Sequence, residues 1–302
     1  MSACAPLPRR QTLLRWRLEI VAPMRVGFDA RWYGGSGVGN YVAQLVQALA
    51  TMPSRFELVV YENPANPLPE LSAANVRRVV VHARRYWPNE QLELAYRCAE
   101  DRIDVFHAPF YVAPLLARCP VVVTIHDLIP FLFRIYGCAK QMAIKTGYRL
   151  AAFKASRVIA DSQNTADDVV RLLGFPPERI TVTPLAASPQ WFHPHSGQQE
   201  HEELQRRYGV RQPYILVSSA RNWRTKNLPT ALRALVECSR QVGVEFQTVV
   251  SGPPDGLEEA MKEVGVSTLT IVRTGFVSTE DLAKLYRNAR AFLIASRYEG
   301  CG

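Results

Sequence analysis

The stretch Tyr214-Ile215-Leu216-Val217-Ser218-Ser219-Ala220-Arg221-Asn222-Trp223-Arg224-Thr225-Lys226-Asn227-Leu228 opens as an apolar run, crosses a loop with three cations, and ends where a helix can begin. Tyr214–Val217 has the length and apolar character of a buried strand. From Leu228 the apolar residues recur at helical spacing to Arg240. A strand, a cationic loop and a helix in succession form one unit of a parallel α/β layer.

The same alternation runs outward in both directions. Downstream, strands are predicted at Phe246–Val250, Leu269–Val272 and Ala291–Ile294, with helices at Leu257–Val264 and Glu280–Asn288. Upstream, strands are predicted at Val26–Phe28, Phe56–Tyr61, Val76–Val81, Val105–His107, Val121–Ile125, Val158–Ala160 and Ile180–Thr183. Helices are predicted at Tyr41–Leu49, Glu90–Glu100 and Lys140–Lys154, and from an N-cap at Ser162 to Leu173. Residues 184–212 carry Pro184, Pro189, Pro194 and Gly197 among polar residues and read as a linker. The fold class is therefore α/β, with two Rossmann-like doubly wound domains over 24–188 and 189–302 and an N-terminal extension over 1–23. That extension holds Arg9, Arg10, Arg15 and Arg17 with one acid, Glu19, as a transit peptide does. Translation starting at Met24, directly before the first strand, is the simpler account.

Composition bounds the function without choosing it. The 302 residues are 48% apolar and 21% charged, ordinary for a globular chain with two cores. The formal charge of +9 favours anionic partners or a solvated surface equally. No apolar run reaches membrane-spanning length. The six cysteines, at 4, 98, 119, 138, 238 and 301, lack the two-residue gap of a zinc or redox motif and read as scattered thiols. His193-Pro194-His195 has no ligands at metal spacing around it.

Ligands of doubly wound sheets bind beyond the carboxyl ends of the strands, so the residues after each strand are the candidates. After the first strand, Gly34-Gly35-Ser36-Gly37-Val38-Gly39 permits close backbone approach to a phosphate, or simply makes a tight turn. The dinucleotide fingerprint fails, because Asn40 stands at the third glycine position counted from Gly35 and Gly37, and no Gly-Lys-Ser/Thr follows. After Val121–Ile125 come His126 and Asp127, a polar pair that must be satisfied locally or face a cleft. Arg221, Arg224 and Lys226 at a helix start oppose the helix dipole unless an anion sits among them. After Ala291–Ile294, Glu299 precedes Gly300-Cys301-Gly302, a carboxylate on a turn.

In order and spacing these pieces resemble the retaining glycosyltransferases of GT-B fold known as glycosyl transferases group 1 or family 4. The resemblance rests on Gly34–Tyr41, His126-Asp127-Leu128, Arg221 with Lys226-Asn227-Leu228, Thr274-Gly275-Phe276-Val277 with Leu282 and Leu285-Tyr286, and Ser296–Gly302. The His-Asp-Leu and Lys-Asn-Leu pieces are most similar to mannosyltransferase-type members.

That resemblance implies a set of roles. Arg221 and Lys226 bind the donor diphosphate and stabilise its leaving charge without a metal, with Gly300 and Gly302 beside it. Glu299 positions the transferred sugar, and His126 contacts it with Asp127 nearby. The Gly35–Gly37 loop approaches donor and acceptor, and backbone near Val277 recognises the base. The implied partners are a GDP- or UDP-sugar donor and a polysaccharide or lipid-linked acceptor, with GDP-mannose favoured. No cofactor, metal or nucleic acid is implied. The implied location is cytoplasmic, with peripheral contact at an anionic membrane face. The family's second Glu, eight positions after Glu299, lies past Gly302, and Cys301 stands where Phe is usual. This departure implies an incomplete donor domain, exposed apolar surface beside the last strand, and weak or absent activity. An epimerase on the same architecture and a nucleic-acid-binding protein are the competing classes. Against the latter, aromatics do not interleave with basic residues.

Overall fold

The computed structural model describes residues 23–301 except 35–36, 53–55, 72, 189–190, 194–196, 219–222, 244, 254–255 and 267–268. The extension over 1–22, Gly35, His195, Arg221 and Gly302 thus lie outside the described residues.

The first domain is a seven-stranded, wholly parallel sheet in the order β3-β2-β1-β4-β5-β6-β7. Its strands are β1 (Met24–Asp29), β2 (Phe56–Glu62), β3 (Val76–Val80), β4 (Val105–Ala108), β5 (Val121–Ile125), β6 (Ala155–Ala160) and β7 (Ile180–Val182). Around it run α1 (Gly37–Thr51), α2 (Pro88–Glu100), α3 (Ile129–Leu132), α4 (Cys138–Lys154) and α5 (Gln163–Leu173). Two cores lie on opposite faces of this sheet. Val121, Val123 and Ile125 pack with Tyr148 and Ala151 on one, while Phe28, Leu58 and Val60 meet Val42 and Val46 of α1 on the other. Strands apolar on both faces are what a helix-covered parallel sheet requires.

The second domain holds four parallel strands in the order β10-β9-β8-β11. These are β8 (Tyr214–Ser218), β9 (Gln247–Ser251), β10 (Thr270–Gly275) and β11 (Ala291–Leu293). Its helices are α6 (Gln198–Tyr208), α7 (Trp223–Lys226), α8 (Leu228–Val242), α9 (Leu257–Val264) and α10 (Thr279–Asn288). Among the described residues β11 is an edge strand, paired to β8 alone, and Ile294 beyond it is exposed.

Two readings need correction. The segment 184–212 is not all linker, because α6 occupies eleven of its residues. This helix buries one apolar side chain, Leu204, and ends on Gly209 in the left-handed conformation. Ion pairs hold it to α10: Glu200 with Arg287 at 2.7 Å, Glu203 with Lys284 at 2.9 Å, and Arg207 with Asp281 at 2.8 Å. The cysteines are not all scattered either. The thiols of Cys98 and Cys119, far apart in sequence, come within hydrogen-bonding reach. Among the described residues no helix is long and apolar enough to cross a membrane.

Candidate active site

In both sheets the strand order reverses direction at one point, between β1 and β4 in the first and between β8 and β11 in the second. Loops diverge there and leave a crevice past the strand ends. The candidate residues fall at these places.

In the second domain a cavity of about 210 Å³ opens past β8 and β11, lined by Val217, Ser218, Lys226, Ser296 and Glu299 among others. Lys226 ends the short helix α7, and its Nζ lies 2.5 Å from Glu299 Oε1. A backbone bond from Arg297 N–H to the Thr225 carbonyl, 2.9 Å, ties the loop after β11 to α7 and so fixes this pair. Both side chains stay partly exposed, so an entering anion can reach the ammonium. Asn227 takes the left-handed conformation (φ 56°) and turns the chain from α7 into α8. Arg224 stacks over the Trp223 ring at 4.5 Å, and that ring covers Gly256, where a side chain would collide with the indole.

In the first domain three adjacent strands end together. Pro109 follows β4, His126 follows β5 and Asp161 follows β6. The His126 ring spans them, with Nδ1 2.6 Å from Asp161 Oδ2 and Nε2 donating to the Pro109 carbonyl at 2.9 Å. Tyr41, in the first turns of α1, meets the same ring edge-on at 4.8 Å and bonds Thr124 Oγ1 at 3.1 Å. Thr124 in turn meets His107 Nε2 at 2.8 Å. Burial, with a smaller contribution from the His126 charge, lowers His107 to about 4. Both His126 nitrogens are thus engaged inside the domain. Its carbonyl faces Gly300 across the seam.

Gly300 sits against that carbonyl. A β-carbon there would lie 2.8 Å from the His126 carbonyl carbon and 3.0 Å from Asp127 Cβ, and closer still to the carbonyl oxygen. Glycine is required because of what a side chain would strike. Ser162 Oγ, the N-cap of α5, accepts from Thr165 N–H and donates to the Gly300 carbonyl. Thr165 Oγ1 reaches the same carbonyl at 3.1 Å, Asn164 Nδ2 donates to the Glu299 carbonyl at 3.3 Å, and Tyr298 OH donates to Asp168 Oδ2 at 2.6 Å. The seam therefore sets Lys226, Glu299 and Gly300 beside His126 and Asp127. Burial raises the Asp127 carboxyl above the usual carboxylate range, against the bond its Oδ1 accepts from Ile129 N–H at 2.9 Å, and the charge of Glu299 adds to the rise.

Other predicted residues stand farther from this cluster. Gly37 opens α1 with free space around it. Among the described residues of its loop, the constrained glycines are Gly34 (φ 107°) and Gly39, where a β-carbon would lie 2.7 Å from Gly34 N. Val277 is half-buried against the core of Leu204, Tyr214 and Leu285. Tyr41, Asp161, Asn164 and Thr165 were not among the predicted site residues. Asp161 directly follows a strand, the very position to inspect, whereas Tyr41 and Asn164 carry no signal of their own.

Residues 35–191 match Glycosyltransferase Family 4, and residues 200–302 match Glycosyl transferases group 1. The chain is 26% identical over 293 residues to O-antigen chain mannosyltransferase B of Escherichia coli, covering 89% of this chain and 75% of that one. It is 27% identical over 172 residues to the MMP alpha-(1->4)-mannosyltransferase of Mycolicibacterium hassiacum, covering 57% of this chain and 37% of that one. Among solved structures it resembles Anabaena Alr3699/HepE in complex with UDP and glucose (TM-score 0.64, 17% identity, 92% of this chain and 76% of that one). It also resembles WaaG, a glycosyltransferase involved in lipopolysaccharide biosynthesis (TM-score 0.61, 16% identity, 91% and 76%). These matches favour sugar transfer over epimerisation or nucleic-acid binding. With two parallel-sheet domains meeting at this seam, the chain belongs to Glycosyltransferase Family 4 and is a glycosyltransferase of the GT-B fold.

Proposed function

We propose that the chain moves a hexose, mannose, from a nucleotide-sugar to a polysaccharide or lipid-linked glycan, with retention of configuration and without a metal. The observation that carries this is the Lys226–Glu299 pair past β8 and β11, set against His126 and Asp127 of the other domain. Mannosyltransferase relatives support the sugar, and the solved neighbour holding UDP and glucose supports a nucleotide-sugar donor.

Lys226 exchanges Glu299 for the donor diphosphate and stabilises the charge that grows on it. Arg221, Gly300 and Gly302 complete that cradle, while Gly35 and Gly37 approach from the first domain and backbone near Val277 meets the base. Glu299, once released, accepts hydrogen bonds from the sugar. The C1–O bond to the diphosphate breaks and a C1–O bond to the acceptor hydroxyl forms on the same face. The acceptor proton passes to the departing phosphate oxygen, so the nucleoside diphosphate leaves and charge balances. His126 acts through position: Asp161, Pro109 and Tyr41 hold it so that its carbonyl shapes the seam.

The test is NMR of the product formed from GDP-mannose and UDP-hexoses, with and without EDTA. An α-linked product from an α-donor at an EDTA-insensitive rate is expected. A β-linked product, or loss of activity with the chelator, overturns retention or metal independence respectively.

A further inference from the structure

Away from the seam, the first domain brings two thiols together. Cys98 lies in the last turn of α2, and Cys119 lies in the turn that leads through Pro120 into β5. Both pack into one core, with Ala117, Val121 and Tyr148. Their sulfurs are within hydrogen-bonding reach of each other.

The backbone at each position is fixed. The Cys98 carbonyl accepts from Ile103 N–H at 2.9 Å as the chain leaves α2. The Pro120 carbonyl, next to Cys119, accepts from Phe106 N–H of β4, also at 2.9 Å. Secondary structure, rather than a free loop, therefore holds the sulfurs face to face. Cys119 precedes β5 and His126 follows it, so the pair sits at the far end of the sheet from the candidate active site.

The two thiols are not equivalent. Cys98 is buried, at 4% exposure, whereas Cys119 is partly open to solvent. Lys154, the last residue of α4, donates to the Ala117 carbonyl and sets a positive charge beside Cys119. A Cys119 thiolate accepts a hydrogen bond from the Cys98 S–H and is attracted by Lys154, and these lower its pKa against the effect of burial. The same hydrogen bond, together with burial, raises Cys98. A cysteine that only fills space gains nothing from a neighbouring ammonium or a path to solvent. A solvent-reachable thiolate backed by a protonated thiol is the arrangement of an attacking and a resolving cysteine.

We propose that Cys98 and Cys119 form a peroxide-reactive dithiol, in which Cys119 attacks and Cys98 resolves the product as a disulfide tying α2 to the entry of β5. The Cys119 thiolate forms an S–O bond to hydrogen peroxide as the O–O bond breaks, and hydroxide leaves. Cys119 is oxidised to a sulfenic acid. The Cys98 sulfur then attacks the Cys119 sulfur, the S–O bond breaks, and the hydroxyl departs with the Cys98 proton as water. The thiols lose their hydrogens and the peroxide is reduced to water, so the step balances. The pair lies outside the donor site, and its chemistry does not depend on the sugar-transfer reading.

The test treats the full chain with an equimolar dose of hydrogen peroxide, then alkylates it in denaturant and maps the peptides by mass spectrometry. A cross-linked peptide joining Cys98 to Cys119, lighter by about 2 Da than the reduced pair and restored by dithiothreitol, is expected. Amide exchange over 99–103 should slow in the oxidised protein. Cys98→Ala removes the resolving thiol, so dimedone should label Cys119 in that variant. Cys119→Ala should leave Cys98 reduced at the same dose, with circular dichroism matching each variant to the parent. The parent protein carries no core substitution, so its peptide map decides the matter even where a variant fails to fold. Free thiols at both positions after a dose that oxidises the exposed Cys138 would overturn the assignment. So would a cross-link to another cysteine, equal dimedone labelling of Cys98 in Cys119→Ala, or unchanged exchange on oxidation.

Discussion

Gly300→Ala is the smallest change that separates the two halves of the candidate site. The new β-carbon meets the His126 carbonyl carbon at 2.8 Å and Asp127 Cβ at 3.0 Å. Ordinary contacts lie at roughly 3.5–4.0 Å and the His126 carbonyl oxygen is nearer still, so the seam must open by more than about 1 Å. The obstacle is peptide backbone fixed at the end of β5, which cannot swing aside as a flexible side chain would. Opening removes the hydrogen bonds that Ser162 and Thr165 make to the Gly300 carbonyl. At about 1 kcal/mol each, their loss costs about 2 kcal/mol, or roughly a 30-fold fall in the docked population. On the proposed function sugar transfer needs Lys226 and Glu299 to face Asp127, so kcat/KM should fall by a similar factor, about 30-fold. Amide hydrogen exchange at 298–301 should speed up in parallel. Gly137→Ala is the control, because a β-carbon there meets nothing within 4 Å, and it should leave rate and exchange unchanged. Wild-type kcat/KM and wild-type protection in Gly300→Ala would refute this seam as the working geometry.

Arg31→Met should destabilise the first domain by about 3–5 kcal/mol, because Asp29 and Glu90 would be left buried without their cation; an unchanged thermal midpoint would show that the triad contributes nothing. His107 gives a pH dependence of defined sign. Its folded value of about 4 lies below the ordinary 6.5, so the unfolded chain binds a proton that the folded chain refuses. Its share of stability is full above pH 6.5 and is lost as pH falls toward 4, by about 2 kcal/mol at pH 5. His107→Gln should flatten that slope in denaturant titrations at pH 7.5 and 5, and an equal slope in both proteins would count against the buried neutral imidazole.

The strands of the first sheet were legible because they are buried on both faces and read as unbroken apolar runs, such as Val121–Ile125. The Ser162 cap was legible because a hydroxyl bonding the third residue on is a local event. Helix α6 was hidden for the opposite reason. One buried leucine in eleven residues leaves no apolar period, and its support comes from Arg287, Lys284 and Asp281, more than seventy residues away. The site divided in the same way. Lys226, Glu299, Asp127 and Gly300 stand at strand ends, and the fold brings them together. The surroundings of His126 depend on Asp161, Pro109 and Tyr41, partners on three other elements, so the contacts that fix its ring could not be read from its own neighbours in sequence. The pairing of Cys98 with Cys119 escaped notice because the two thiols come from segments that sequence spacing does not link.

Donor affinity tests the central claim most directly. Isothermal titration of GDP-mannose and UDP-hexoses into the wild-type chain and Lys226→Ala should give saturable binding of one donor to the wild type. Removing the ammonium should weaken that binding at least tenfold, about 1.4 kcal/mol. Equal affinity in the two proteins would contradict a diphosphate site at Lys226 and Glu299.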